Sequence, residues 1–226
     1  MQIIPIEQLI PDVIDAWGAP HFDRRKQGIS PRRLPEWTRN QVPETMDVVV
    51  RMPSGVRLRF KTASQVVGLD FLATNMVTPP AQRRPIPFAL EAHGTLQTRT
   101  SEKGNVIELD PKSPGKFDLI RGDQDRVLFD NPAGKDATLS LWLPHNAFIE
   151  LRSLIIDDDA SIAPPDPETR LRWWHHGSSI SHCMEAEDPA LIWPAHAARE
   201  ADLAVTNLGF GGQCHLDQFI ARTLRD

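Results

Sequence analysis

The 226-residue chain has two cysteines, Cys183 and Cys214, too few for a disulfide framework. It has no excess of positive charge. Its 25 Lys and Arg stand against 30 Asp and Glu, a net charge of −5, with a pI near 5.9. A general nucleic-acid binder carries a basic face and a high pI, so nucleic acid is set aside as a partner. No apolar run approaches the roughly 18 residues that span a bilayer, and mean hydropathy is −0.34; no membrane partner is expected. Met1 to Glu7 shows no basic segment leading into a long apolar one, so no export signal is read and a cytoplasmic location is expected. Long periodic stretches are few, whereas proline is abundant, at 20 residues against a usual share of about 5%. That combination favours a loop-rich β architecture over a helical bundle.

Residues 1–45 read as mixed and irregular. Leu9, Ile10, Val13, Ile14 and Trp17 have helical spacing, but Pro11 limits any helix there to a short one. The arginines around Pro31-Arg32-Arg33-Leu34-Pro35 are expected on a solvated surface loop. From about residue 46 the period changes to two. Val56, Leu58 and Phe60 share one face, as do Val67, Leu69 and Phe71, and Leu139, Leu141 and Leu143. Turn residues such as Pro53-Ser54-Gly55 and Lys103-Gly104-Asn105 separate these runs. Short alternating strands at such spacing predict an antiparallel sandwich with one wet face. Trp142 is expected on that wet face, where it either stacks on a sugar ring or packs against a second domain. Asp157-Asp158-Asp159 through Pro164-Pro165-Asp166-Pro167 has the charge and proline content of a linker.

Beyond it, 171–176 and 203–208 read as strands ending at Gly177 and Gly209, and 193–201 and 216–224 as helices. A strand–turn–helix order repeated in this way opens a parallel α/β sheet. Ligands of such sheets bind outside the carboxyl ends of the strands. Here those ends are His176-Gly177-Ser178-Ser179-Ile180-Ser181 and Gly209-Phe210-Gly211-Gly212-Gln213. A hydroxyl beside backbone N–H donors is the core of an acyl-transfer site, although a serine that caps the next helix gives the same pattern. His182 and His215 lie close enough in sequence to line the site with Ser178 and Gln213. A base on the nucleophile's own helix is badly placed for the serine. No metal-ligand spacing is present among the histidines and cysteines. No metal or other cofactor is expected, and both cysteines are read as free, partly buried thiols.

The segment from Trp173-Trp174-His175-His176-Gly177-Ser178-Ser179-Ile180-Ser181 to Asn207-Leu208-Gly209-Phe210-Gly211-Gly212-Gln213 resembles the first half of an SGNH/GDSL-type serine hydrolase domain. The resemblance matches Ser179 to the family's nucleophile and Gly212 to the glycine of its second block. It implies an oxyanion hole built from the Ser179 and Gly212 N–H groups. It implies a small-molecule ester as substrate, an acylated carbohydrate among the candidates, and an N-terminal sandwich in some members. Neither the family's Gly-x-Asn-Asp block nor its Asp-x-x-His block occurs in the chain. The resemblance therefore implies a truncated enzyme, its Asn donor and Asp–His pair outside this sequence and the chain inactive alone.

The expected architecture is multidomain β plus α/β. An irregular segment, 1–45, packs on a jelly-roll-like antiparallel β-sandwich, 46–156. A linker, 157–168, leads to the first βαβα part of a parallel-sheet SGNH hydrolase domain, 169–226. The alternative is a non-enzymatic, carbohydrate- or protein-binding β-sandwich module with a vestigial α/β tail.

Overall fold

A computed structural model describes residues 1–113, 115–132, 134 and 137–226. The first half comprises β1 (Gln2–Pro5), β2 (Asp15–Trp17), β3 (His21–Arg24), β4 (Ile29–Arg32), α1 (Glu44–Val50), β5 (Arg57–Thr62), β6 (Val66–Val77), β7 (Ile86–Ala92) and β8 (Thr95–Ser101). There follow β9 (Asn105–Leu109), β10 (Phe117–Ile120), β11 (Asp125–Asp130), β12 (Thr138–Trp142), β13 (Ala147–Ile156), β14 (Ile162–Ala163), β15 (Leu171–Gly177), α2 (Ser179–His182), α3 (Trp193–Glu200), β16 (Leu203–Gly209) and α4 (Gln218–Arg225). The fold is mixed α/β, with several sheets and few helices.

Among the described residues one sheet has eight strands, the longest path running β10-β9-β6-β13-β4-β3. A second has six, with the path β14-β5-β12-β7-β8. Within these two sheets, pairing among the described residues is antiparallel except between β6 and β9. The period-two apolar faces meet as the alternation requires. Val56, Leu58 and Phe60 join Val67, Leu69, Phe71, Leu139 and Leu141 in one buried cluster. The rings of Phe71 and Phe88, one from each sheet, lie 4.4 Å apart.

Several sequence expectations give way here. Residues 1–45 are not irregular but supply four strands, with β1 paired to β13 and β2 to β5. The apolar residues 9–17 form turns and β2 rather than a helix. Residues 44–50 form a helix where alternation was expected, because Met46, Val49 and Val50 bury one helical face with Leu208, Phe210, Phe219 and Ile220. Arg32 and Arg33 are each only 1% exposed, not solvated. The stretch read as a linker is docked: β14 pairs with β5, and Lys61 holds the Asp166 carboxylate at 2.6 Å. Trp142 is buried, packed with Ala89, Ala190, Ile192 and Ala195, which removes it as a sugar platform.

β15 and β16 are parallel and in register from Leu171↔Leu203 to Gly177↔Gly209. Among the described residues they form a two-stranded sheet by themselves. The helix expected at 193–201 is α3, with Pro194 in its first turn, where the missing proline N–H costs nothing. α4 closes the described chain and buries Phe219 and Ile220.

Candidate functional site

The parallel register sends the 177–182 and 209–213 segments out of the same edge of the β15–β16 pair. Ser178 occupies the N-cap position of α2, yet its side chain makes no capping bond. Ser179 opens α2 and is exposed, while Ser178 is half-buried. α2 lasts four residues and stops at Cys183, which takes the left-handed conformation at φ 60°. So short a helix adds little dipole to the site. On the second loop, Gly212 has φ +70° and open space where a Cβ would stand. Gln213 turns away towards α1, its Oε1 accepting the Thr45 hydroxyl at 3.1 Å. His215 is exposed.

Two glycines allow α2 to sit on the strand ends. A Cβ on Gly177 would overlap the Ser181 side chain, and one on Gly209 would overlap the Ser181 and His182 backbone. Ser181 fills the space they leave. It is 6% exposed, and its hydroxyl lies 2.7 Å from His175 Nε2. That hydroxyl–imidazole pair went unrecognised in the sequence. Its serine is buried and out of reach of a substrate, so the pair is a packing contact. Burial also holds the His175 pKa below the usual histidine range, with His176 adding to the shift.

His182 does not open onto the gap. It is fully buried, with Nε2 3.0 Å from the His145 carbonyl oxygen. Nδ1 accepts the Gly211 N–H at 3.2 Å. That pattern places the ring proton on Nε2. Burial pushes its pKa well below the ordinary value, and the nearby Arg33 charge adds to this. A neutral imidazole thus fastens the glycine loop from beneath.

Around it runs a buried polar network. The Ser54 hydroxyl donates to the His182 carbonyl at 2.7 Å. Asn207 Nδ2 donates to Ser54 Oγ at 3.0 Å and to the Ser181 carbonyl at 2.8 Å, while its Oδ1 accepts the Gly209 N–H at 2.9 Å. Arg33 reaches the Gly209 carbonyl at 2.7 Å and the Val49 carbonyl at 2.7 Å, over the Phe210 ring at 4.5 Å. Burial brings its pKa down to about 9. Sequence reasoning assigned no role to Ser54, Arg33 or His145. Arg33 beside apolar Leu34 was the available signal; for the other two, only the fold brings residues so distant in sequence to the loops.

Neither the Ser178 nor the Ser179 hydroxyl has a hydrogen-bond partner among the described residues, so no Ser–His–Asp triad is assembled. Among those residues no three or more His, Cys, Asp or Glu side chains converge to hold a metal. Cys183 and Cys214 are free and half-buried; Cys214 Sγ lies 3.5 Å from His176 Nε2.

No protein-family model matches the chain, and no curated protein does. Solved structures do. The chain overlays on the salicylyl-acyltransferase SsfX3 of a tetracycline biosynthetic pathway over 100% of its own length and 58% of that chain, at 24% identity and TM-score 0.79. A GDSL-like lipase from Bacteroides ovatus matches 100% of this chain and 61% of its own, at 18% identity and TM-score 0.64. The chain shares the fold of these two proteins over its whole length. An acetyl xylan esterase from Butyrivibrio proteoclasticus shares it more distantly, at 10% identity and TM-score 0.52, over 94% of this chain and 50% of that one. The chain thus spans about three-fifths or less of each of these proteins.

Proposed function

We propose that the chain carries the nucleophile half of an SGNH-type serine ester hydrolase. Ser179 Oγ attacks the ester carbonyl, and the N–H groups of Ser179 and Gly212 receive the oxyanion. One observation supports this above all. Ser179 is exposed on the loop after Gly177, and Gly177 stands in parallel register with Gly209, which opens the loop of Gly212. A nucleophile and open backbone donors at adjacent strand ends are what an acyl-transfer site needs. One oxyanion donor of this kind is worth roughly 10²–10³ in kcat.

We assign the base to the part of such a hydrolase that this chain, at about three-fifths of the length of the structures it resembles, does not span. Within the chain His182 is buried and bonded at both nitrogens, and His175 faces Ser181. We assign the paired large sheets to a β-sandwich domain and 169–226 to the start of the hydrolase domain. The substrate class is a small ester, with acylated carbohydrate and acyl transfer both compatible with the proteins of similar fold.

The test supplies the base from solution. The chain is incubated with p-nitrophenyl acetate and imidazole, and its peptides are read by mass spectrometry. Ser179 Oγ bonds to the acetyl carbon, its proton passes to imidazole, and p-nitrophenolate leaves. The expected result is imidazole-dependent acetylation of Ser179 that Ser179→Ala abolishes. Acetylation of Ser178 instead, or of surface lysines alone, overturns the assignment and favours the binding-module alternative.

A further inference from the structure

The outward face of the six-stranded sheet carries a second feature, remote from Ser179. Trp17, Arg57 and Trp142 are direct cross-strand neighbours on β2, β5 and β12. The Arg57 guanidinium lies 5.0 Å from the Trp17 ring centre and 4.8 Å from that of Trp142. It is 3% exposed. Among the described residues its one hydrogen bond is a long one, from Nη1 to the Val205 carbonyl at 3.4 Å, and no carboxylate lies within ion-pair distance. A guanidinium has five N–H donors, and a buried charge without an anion is costly. Burial, with Arg59 and Arg170 nearby, brings its pKa down to about 9, against a weaker opposing pull from the more distant Glu168 and Glu91.

Arg57 lines a cleft of about 340 Å³ between this sheet and the α3–β16 segment. The other charges of the lining are matched. Arg199 holds Glu91 at 3.1 Å and Arg170 holds Glu168 at 2.7 Å. Arg59 holds Asp15 at 2.8 Å, and Lys61 holds Asp166 at 2.6 Å. Among the described residues Arg57 is the arginine of this lining without an ion-pair partner. Ser140, the next cross-strand position along β12, also lines the cleft, and its hydroxyl has no partner among the described residues.

We infer that this cleft binds a small organic oxyanion, a carboxylate or a phosphate, gripped by the Arg57 fork and the Ser140 hydroxyl. The volume suits a small metabolite, and the planar fork suits two oxygens of one group. The cleft abuts Leu203 and Val205 of β16, at the opposite end of the strand from the Ser179 loops. The inference is therefore independent of the esterase reading.

The test is a titration of the arginine-labelled chain with acetate or inorganic phosphate, followed by NMR. Ionic strength is held constant with sodium chloride. The expected result is a saturable one-site shift of the Arg57 Nε–H signal and of the Trp17 and Trp142 indole N–H signals. Saturation by acetate alone identifies a carboxylate site, and by phosphate alone a phosphate site. Ser140→Ala weakens binding roughly threefold to tenfold, the loss of one hydrogen bond, and Arg57→Met abolishes it. Shifts that never saturate, or that appear equally at all arginines, overturn the proposal, and the wild-type titration decides this even where Arg57→Met fails to fold.

Discussion

The His182 ring carries the loop that follows β16: its Nδ1 accepts the Gly211 N–H at 3.2 Å. Because the other ring nitrogen lies against the His145 carbonyl, the imidazole is a strut between the large sheets and the glycine loop. His182→Ala removes the strut, leaves the Gly211 N–H unpaired and opens a cavity. A loss of roughly 2–4 kcal/mol is expected, measured by urea unfolding, with faster amide exchange at Gly211. Unchanged stability and exchange would show that the loop holds itself.

The same residue sets a pH dependence. The folded pKa of His182 lies below its unfolded value near 6.5, as do those of His145 and His175. The unfolded chain therefore binds more protons below pH 6.5. Stability is fully present above that pH and declines as pH falls beneath it, by about 1.4 kcal/mol per pH unit for each histidine that stays neutral in the fold. Urea unfolding at pH 7.5 and 5.5 checks this. In His182→Gln the slope should be shallower; an equal slope would remove His182 as a cause.

A second acid window belongs to Glu168. The Arg170 guanidinium lowers its carboxyl to about 2 from an ordinary 4.5. The stability it adds is present above pH 4.5 and is lost as pH falls towards 2. Comparing Glu168→Gln with the parent between pH 5 and 2.5 by thermal unfolding should show a smaller acid loss in the variant. Parallel curves would mean the pair contributes nothing.

Two glycine substitutions should differ sharply. Gly209→Ala drives a methyl group into the Ser181 and His182 backbone, which can yield only if α2 leaves the strand ends. Roughly 3 kcal/mol or more is expected. Gly212→Ala meets open space and carries only the strain of φ +70°, about 1 kcal/mol. Thermal unfolding of both variants checks the order, and similar losses would contradict the packing described for α2.

Among the described residues β15 pairs with β16 alone, leaving one edge of the strand unpaired, and Leu171 is 78% exposed. Amides of β15 are expected to exchange faster than those of β6 and β13 in the eight-stranded sheet, since local opening there breaks fewer contacts. Equal protection in a dilute monomer would argue against it.

Strand periodicity was legible where one apolar face meets one core. Val56, Leu58 and Phe60 alternate because the pleat alternates, and all three are buried. The parallel pair was legible because Gly177 and Gly209 each end a strand-like run ahead of a helical segment, and these glycines leave room for α2. On the other face, packing of Trp142 against a second domain was one of two readings, and the fold packs it on Ala190, Ile192 and Ala195; alternation shows only that a second face exists. It does not reveal that α3 and β16 cover that face. Likewise Glu44–Val50 has too few turns for its helical period to stand out beside its β-branched residues.

The sequence by itself determined core strands such as β5, β6 and β12 and the parallel order of β15 and β16, and it singled out Ser179 and Gly212 as candidates for the acyl-transfer site proposed above. These follow from local patterns: period two, glycine at a turn, a hydroxyl at a helix start. Tertiary structure alone decided that His182 is a buried neutral strut, that Arg33 and Ser54 hold the loops, and that Arg57 has no carboxylate within ion-pair distance among the described residues. The hydrogen bonds of His182, Arg33 and Ser54 reach partners 16 to 176 positions away in the chain, Val49 and Gly209 for Arg33 setting the two ends of that range. No local pattern encodes such a partner, because burial and pairing are properties of the packed whole.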